Sequence, residues 1–204
     1  MVERKTLFEI VLGLRTDNAR RSTLFLSLQN ARNSCGYQQG VPFTRKEFDL
    51  RCQGRSTDDE ADMFCALLNY LVVLEQIGTL FYKGRIFEAL KESGLSQEQK
   101  CALNALRNSF AHHGGLAIWN ESSGKGYKFV IDFNDNTDVV MVASKEWDGN
   151  YSDKSAETST IIYAIPFIRL VEDIVTRLQE DIDKVVSKCT MTAEKISTKF
   201  TILT

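Results

Sequence analysis

The chain has only two histidines and two prolines, and none of its cysteines form a C-x-x-C pair. The histidines are neighbours, His112 and His113, so a zinc centre of spaced His and Cys ligands has nothing to build on. No metal or cofactor is expected. Five cysteines (Cys35, Cys52, Cys65, Cys101, Cys189) are an odd number and read as reduced thiols of a cytoplasmic protein. With so few prolines, and twelve glycines, no stretch has linker or disordered composition. No uninterrupted apolar run approaches the roughly 20 residues that cross a bilayer. The opening MVERKTLFEIVLGLR is broken by acids and lacks the layout of a secretory signal, so no membrane partner is expected. Strong net charge is also missing: at −2 the molecule is no general polyanion binder.

What remains is 204 residues, 43% hydrophobic, enough for one domain with a substantial core over residues 1–204. Charge is unevenly placed. Residues 15–55 carry a balance of +5, from Arg15, Arg20, Arg21, Arg32, Arg45, Lys46, Arg51 and Arg55 against three acids. Residues 132–183 carry −8, so one region attracts phosphate and another repels it.

Apolar spacing predicts helices over 2–14 and about 18–32, then a loop over 33–42 and an ambiguous, helix-compatible segment over 43–53. The Asp17-Asn18 pair reads as a cap signal, and Ser56-Thr57-Asp58 opens a further helix that is apolar almost all round to Ile77. Such a helix belongs at the centre of a bundle. A short helix is expected over 84–92. Ser96 then caps SQEQKCALNALRNSFAH, with Leu103, Leu106 and Phe110 as its buried stripe, stopping at Gly114-Gly115. After the double glycine the period becomes alternating: 116–119, 127–133 and 139–143 read as strands, with turns at Ser123-Gly124 and Asn134–Asn136, and 161–165 is a further candidate. Residues 116–144 are therefore expected to form an antiparallel hairpin or small three-stranded sheet inserted in a mainly α fold. Pro166 suits the first turn of a long helix with Leu170, Ile174, Leu178, Ile182 and Val185 as its stripe. The tail to Thr204 reads as helix or coil.

Arg107-Asn108-Ser109-Phe110-Ala111-His112 concentrates chemistry at the end of a predicted helix. Asn108 and His112 are four residues apart on one face, while Arg107 lies roughly 140° from His112 at about 100° per residue. One copy does not aim Arg and His at one atom; two copies across a two-fold axis would. The negative end of the helix favours an imidazolium and Arg107 opposes it, which suits a group that moves protons near neutral pH. Arg107 has the planar donors to clamp a phosphate, and Asn108 can bond the phosphate or orient the imidazole.

R-N-x-x-x-H at the end of a bundle helix resembles the signature of HEPN domains (higher eukaryotes and prokaryotes nucleotide-binding). The resemblance implies an all-α core whose two protomers pair their motifs. It also implies RNA cleavage without metal, as in toxins of toxin–antitoxin pairs, abortive-infection proteins and CRISPR-associated ribonucleases. Arg107 and His112 match the motif's paired residues and Asn108 its polar second position; His113 fits the looser spacing. The strands after the motif depart from the minimal bundle. Implied partners are RNA, a second copy of the chain, and an antitoxin or other regulatory protein.

Other candidates are thinner. Glu75 and Asn69 are polar residues in the most apolar helix, either of which would approach the motif or face a rim. Trp119, Tyr127 and Phe129 would stack on bases or pack in a core. Gly13, Gly36 and Gly40 form no phosphate loop, and Ser122–Lys125 is only a fragment of one. Beside the endoribonuclease stand two alternatives: a catalytically silent module binding RNA, nucleotide or protein in the same groove, and a helical interaction protein in which the motif is coincidental.

Overall fold

The computed structural model describes residues 2–15, 20–52, 59–82, 86–120, 124–189 and 191–203. The expected signals at Asp17-Asn18, Ser56–Asp58, Gly84 and Ser122-Ser123 lie outside the described residues. The fold is mainly α with a small mixed sheet.

Its centre is α4 (Asp59–Phe81), which runs four residues beyond the expected Ile77. Against it pack α2 (Thr23–Cys35), α5 (Ile86–Ala89), α6 (Gln97–His113) and α7 (Ala164–Glu180). Met63, Ala66, Leu67, Tyr70, Val73, Leu74 and Ile77 are fully buried, each large apolar side chain contributing on the order of 2 kcal/mol. Over Glu60–Phe81 this helix is long and apolar enough, by length and composition, to cross a membrane. Its burial against four other helices is that of a core helix. It is not enclosed all round, however: Phe64 and Leu68 are only half-buried and Val72 is 43% exposed.

The expected second helix starts late. Arg20–Ser22 is a strand, β1, and only at Thr23 does α2 begin, ending at Cys35 inside the expected loop. The cause is Ser22. Its hydroxyl accepts from the Phe25 N–H at 3.1 Å, capping α2, and donates to the Val11 carbonyl at 2.9 Å, at the end of α1 (Val2–Val11). The ambiguous segment after the loop forms α3 (Arg45–Cys52).

A capping box at Ser96 opens α6: the Ser96 hydroxyl accepts from the Gln99 N–H and the Gln99 side chain accepts from the Ser96 N–H. The helix closes at Gly114, whose φ of +62° is strained for any residue with a Cβ.

Beyond it come β2 (Ala117–Asn120), β3 (Lys125–Asp132), β4 (Val140–Met141) and β5 (Ser159–Tyr163). The expected antiparallel hairpin exists between β2 and β3, but the three-stranded arrangement over 116–144 does not. The order is β2-β3-β5-β4, with β5 parallel to β3 and antiparallel to β4. Ser159, Thr160, Ile162 and Tyr163 are all buried, as suits a central strand, and that burial explains why β5 separates β3 from β4. Residues 164 and 165 belong not to this strand but to α7.

Pro166 does lie in the first turn of α7. The expected long helix breaks at Asp181 (φ −101°, ψ 32°) into α7 and α8 (Ile182–Lys188). Its buried face centres on Ile168, Val171 and Val175, with Ile174 and Leu178; Leu170 sits at the margin. The tail forms α9 (Ala193–Phe200) and β6 (Thr201–Leu203), which pairs antiparallel with β1.

One polar knot lies inside the bundle. Glu172 on α7, 1% exposed, accepts from Arg32 Nε (2.8 Å) and Nη2 (2.6 Å) of α2 and from the Tyr70 hydroxyl (2.6 Å) of α4. Burial pushes the Cys35 thiol nearby up to about 12 and holds the Tyr70 phenol far above its ordinary range.

Candidate functional site

The motif occupies the last turns of α6, fixed by a cap at each end of the helix. Arg107 lies on the side of α6 toward α4, where its Nε donates to Glu75 Oε2 at 2.8 Å and its Nη2 contacts Glu75 Oε1. Its Nη1 donates to the neighbouring Asn108 Oδ1 at 2.6 Å. The pair is half in solvent, with side chains 26% (Arg107) and 39% (Glu75) exposed. An ion pair so placed contributes about 1 kcal/mol or less, so it orients the guanidinium without locking it.

His112 and His113 are the last two residues of α6, immediately before the left-handed Gly114; their side chains lie outside what the structure describes. Asn108, expected to serve either phosphate or imidazole, has its side-chain oxygen on Arg107. Asn69 does not approach the motif: its amide donates to the Cys65 carbonyl of its own helix at 2.9 Å.

Ser109 was not singled out by sequence reasoning. It is fully buried, and its hydroxyl lies 2.7 Å from the Gly115 carbonyl and 3.0 Å from the Ala117 carbonyl. The serine therefore ties the turn after the histidines, and the start of β2, back to the motif helix. A serine in line with an apolar stripe was the one available sign. Phe110 packs edge-on against Phe64 of α4 (5.5 Å between ring centres, 77°), joining the same two helices as Arg107 and Glu75.

The aromatic residues of the strands divide between two faces. Phe129 is 3% exposed and stacks with Tyr127 (5.7 Å, 1°) on the core side. Trp119 stands on the other face, opposite Gly126, and meets Trp147 edge-on at 6.2 Å. A Cβ on Gly126 would lie 2.4 Å from Trp119 and 2.9 Å from Trp147, so only glycine lets both indoles cross the strand there. The segment bearing Trp147 is fastened by Lys128, which donates to the Asp153 carboxylate (3.1 Å), the Ser155 carbonyl (3.2 Å) and Thr158 Oγ1 (2.9 Å). Hydrogen bonds from the Thr158 hydroxyl and the Ser155 N–H lower Asp153 to about 2.

The described residues enclose several cavities. One, about 800 Å³ and open, runs along Gly115–Trp119 and faces Asp148, Gly149 and Tyr151. Another, about 550 Å³, lies among α4, α5, α7 and α8; of the three cations that line it, Arg177 has Glu92 beside it (3.6 Å) and Lys184 has Asp181 (3.3 Å). The chain matches no family model, no curated protein and no solved structure.

Proposed function

We propose that the chain is a HEPN-type, metal-independent endoribonuclease that works as a homodimer, in a cytoplasmic toxin or defence setting and restrained by a partner protein. The observation that carries the reading is the Arg107–Glu75 pair: a guanidinium aimed by a carboxylate and an amide, half in solvent, on the turn that ends in His112. The pair is partly exposed and worth about 1 kcal/mol or less, so its loss would be a small cost to set against phosphate contacts made by the same guanidinium. The partly exposed stripe Phe64, Leu68 and Val72 lies on the helix that carries Glu75 and suits burial against a second copy.

In the dimer two Arg107 side chains would hold the phosphate and stabilise its developing charge. One His112 would take the proton of the ribose 2′-hydroxyl as its oxygen attacks phosphorus. The other would protonate the departing 5′-oxygen, leaving a 2′,3′-cyclic phosphate.

The silent binding module stays as second reading because three donors of Arg107 are already engaged and the net charge is −2. The experiment is cleavage of mixed RNA by the purified chain in EDTA. Cyclic phosphate ends are expected, with no cutting of fully 2′-O-methylated RNA and loss of at least ~100-fold in Arg107→Ala and His112→Ala. Binding without cleavage supports the silent module. Full activity in His112→Ala moves the proton-transfer role to His113.

A further inference from the structure

The cleft beside the motif has a composition unlike a phosphate site. Gly115, Leu116, Ala117, Ile118 and Trp119 form one wall and Asp148, Gly149 and Tyr151 the other. The only charge among them is Asp148, which repels a phosphate and leaves room for a neutral, flat group. Tyr151 is 74% exposed, the most exposed large hydrophobic side chain among the described residues. It is nevertheless held in place: its ring meets Trp147 edge-on at 5.1 Å, and the Trp147 indole N–H donates to the Asn150 carbonyl at 3.0 Å. Gly149 brings its backbone close to Trp119, where a Cβ would lie 3.4 Å from the indole. The opposite wall is the edge strand β2, which keeps one row of backbone donors and acceptors outside the sheet.

We infer that this cleft holds one unpaired base of a single-stranded RNA, stacked on Tyr151 and bordered by Trp119, while the sugar–phosphate chain runs outside toward the motif. The inference rests on the ribonuclease reading and names a substrate subsite for it. Continuity supports the path, because Gly115 follows His113 by two residues and its carbonyl is held by Ser109 of α6. An aromatic face binds any base, so the subsite anchors the strand without reading a defined sequence. Asp148 keeps the phosphate out and thereby sets the direction in which a nucleotide enters.

The chain contains two tryptophans, Trp119 and Trp147, and both belong to this cluster, so its indole fluorescence reports on this one place. The test uses the full chain and a short, fully 2′-O-methylated RNA of mixed sequence, which binds without being cut. Tryptophan emission is expected to be quenched on titration, and Tyr151→Ala to weaken binding about tenfold while Tyr151→Phe stays within about twofold of the parent. The same oligonucleotide with abasic positions should bind the parent and Tyr151→Ala equally. Binding with unchanged tryptophan emission and no loss in Tyr151→Ala would overturn the base subsite and leave the ribonuclease reading standing. No binding to the parent chain at all would also overturn the base subsite, while the ribonuclease reading stands or falls on cleavage of the unmethylated RNA. Unliganded melting of both Tyr151 variants at the parent temperature is the expected control, since the ring is mostly in solvent.

Discussion

Glu172 sits 1% exposed between Arg32 and Tyr70. Removing its charge leaves a guanidinium that is only 18% exposed without its counter-ion. Glu172→Gln should therefore lower stability by about 3 kcal/mol, read as a shift in the urea midpoint; an unchanged midpoint would mean that the pair contributes nothing. Gly126→Ala should cost about 1–3 kcal/mol for a different reason, because the added methyl collides with two indoles in a packed cluster. A blue-shifted, parent-like tryptophan emission and parent melting temperature in that variant would contradict the steric account. These residues also show what a sequence conceals. Arg107 and His112 stand five positions apart and announce themselves locally. Glu172 is one acid among many in its stretch, and its partner Arg32 lies 140 positions away. Glycine at 126 likewise acquires its meaning only from the fold, which sets Trp119 across the strand pair from it and brings Trp147 to it from a separate loop.

The segment from Trp147 to Thr158 is an element without regular structure, held by Lys128 and Asp153. Asp153 has its acid strength raised by the fold, from an ordinary 3.8 to about 2, first by the Thr158 hydroxyl and then by the Ser155 N–H. A carboxylate favoured in the folded state adds stability that is complete above about pH 4 and fades as the pH falls toward 2. Acid titration should loosen this loop in that window, seen as a change in tryptophan emission that Asp153→Asn abolishes. An identical titration in the variant would assign the transition to other groups. Regular elements were easier to foresee. The Ser96 cap, the Gly114 stop and Pro166 in a first turn are written in adjacent residues, whereas β1 looked helical because its partner β6 lies some 180 positions on. The existence of β2, β3, β4 and part of β5 was legible from the change of period; the order β2-β3-β5-β4 was not, since period says nothing about which strand lies beside which.

For the whole molecule the proposal requires two copies. Helix α4 leaves Val72 43% exposed beside half-buried Phe64 and Leu68, on the helix that holds Glu75. Solution scattering at micromolar concentration should give the mass of a dimer, about twice 23.1 kDa, and Val72→Glu should shift it to monomer and remove RNA cleavage together. A monomeric parent that still cuts RNA would dismiss the shared site. The helices followed from apolar spacing alone; the exposure of Val72 did not, because in the sequence it looks like core.

Helix α1 is made long before the partners it packs on. Arg4 of α1 donates to the Met191 carbonyl at 2.9 Å, across 187 positions, and α1 packs on α8 and α9. At 5–20 residues per second, synthesis separates α1 from these partners by roughly 10–40 s. During that interval Leu7, Phe8 and Val11, all buried in the finished fold, lack the later part of their cover. A nascent chain would thus offer chaperones the apolar face of α1 until α8 and α9 have been made and β6 closes on β1.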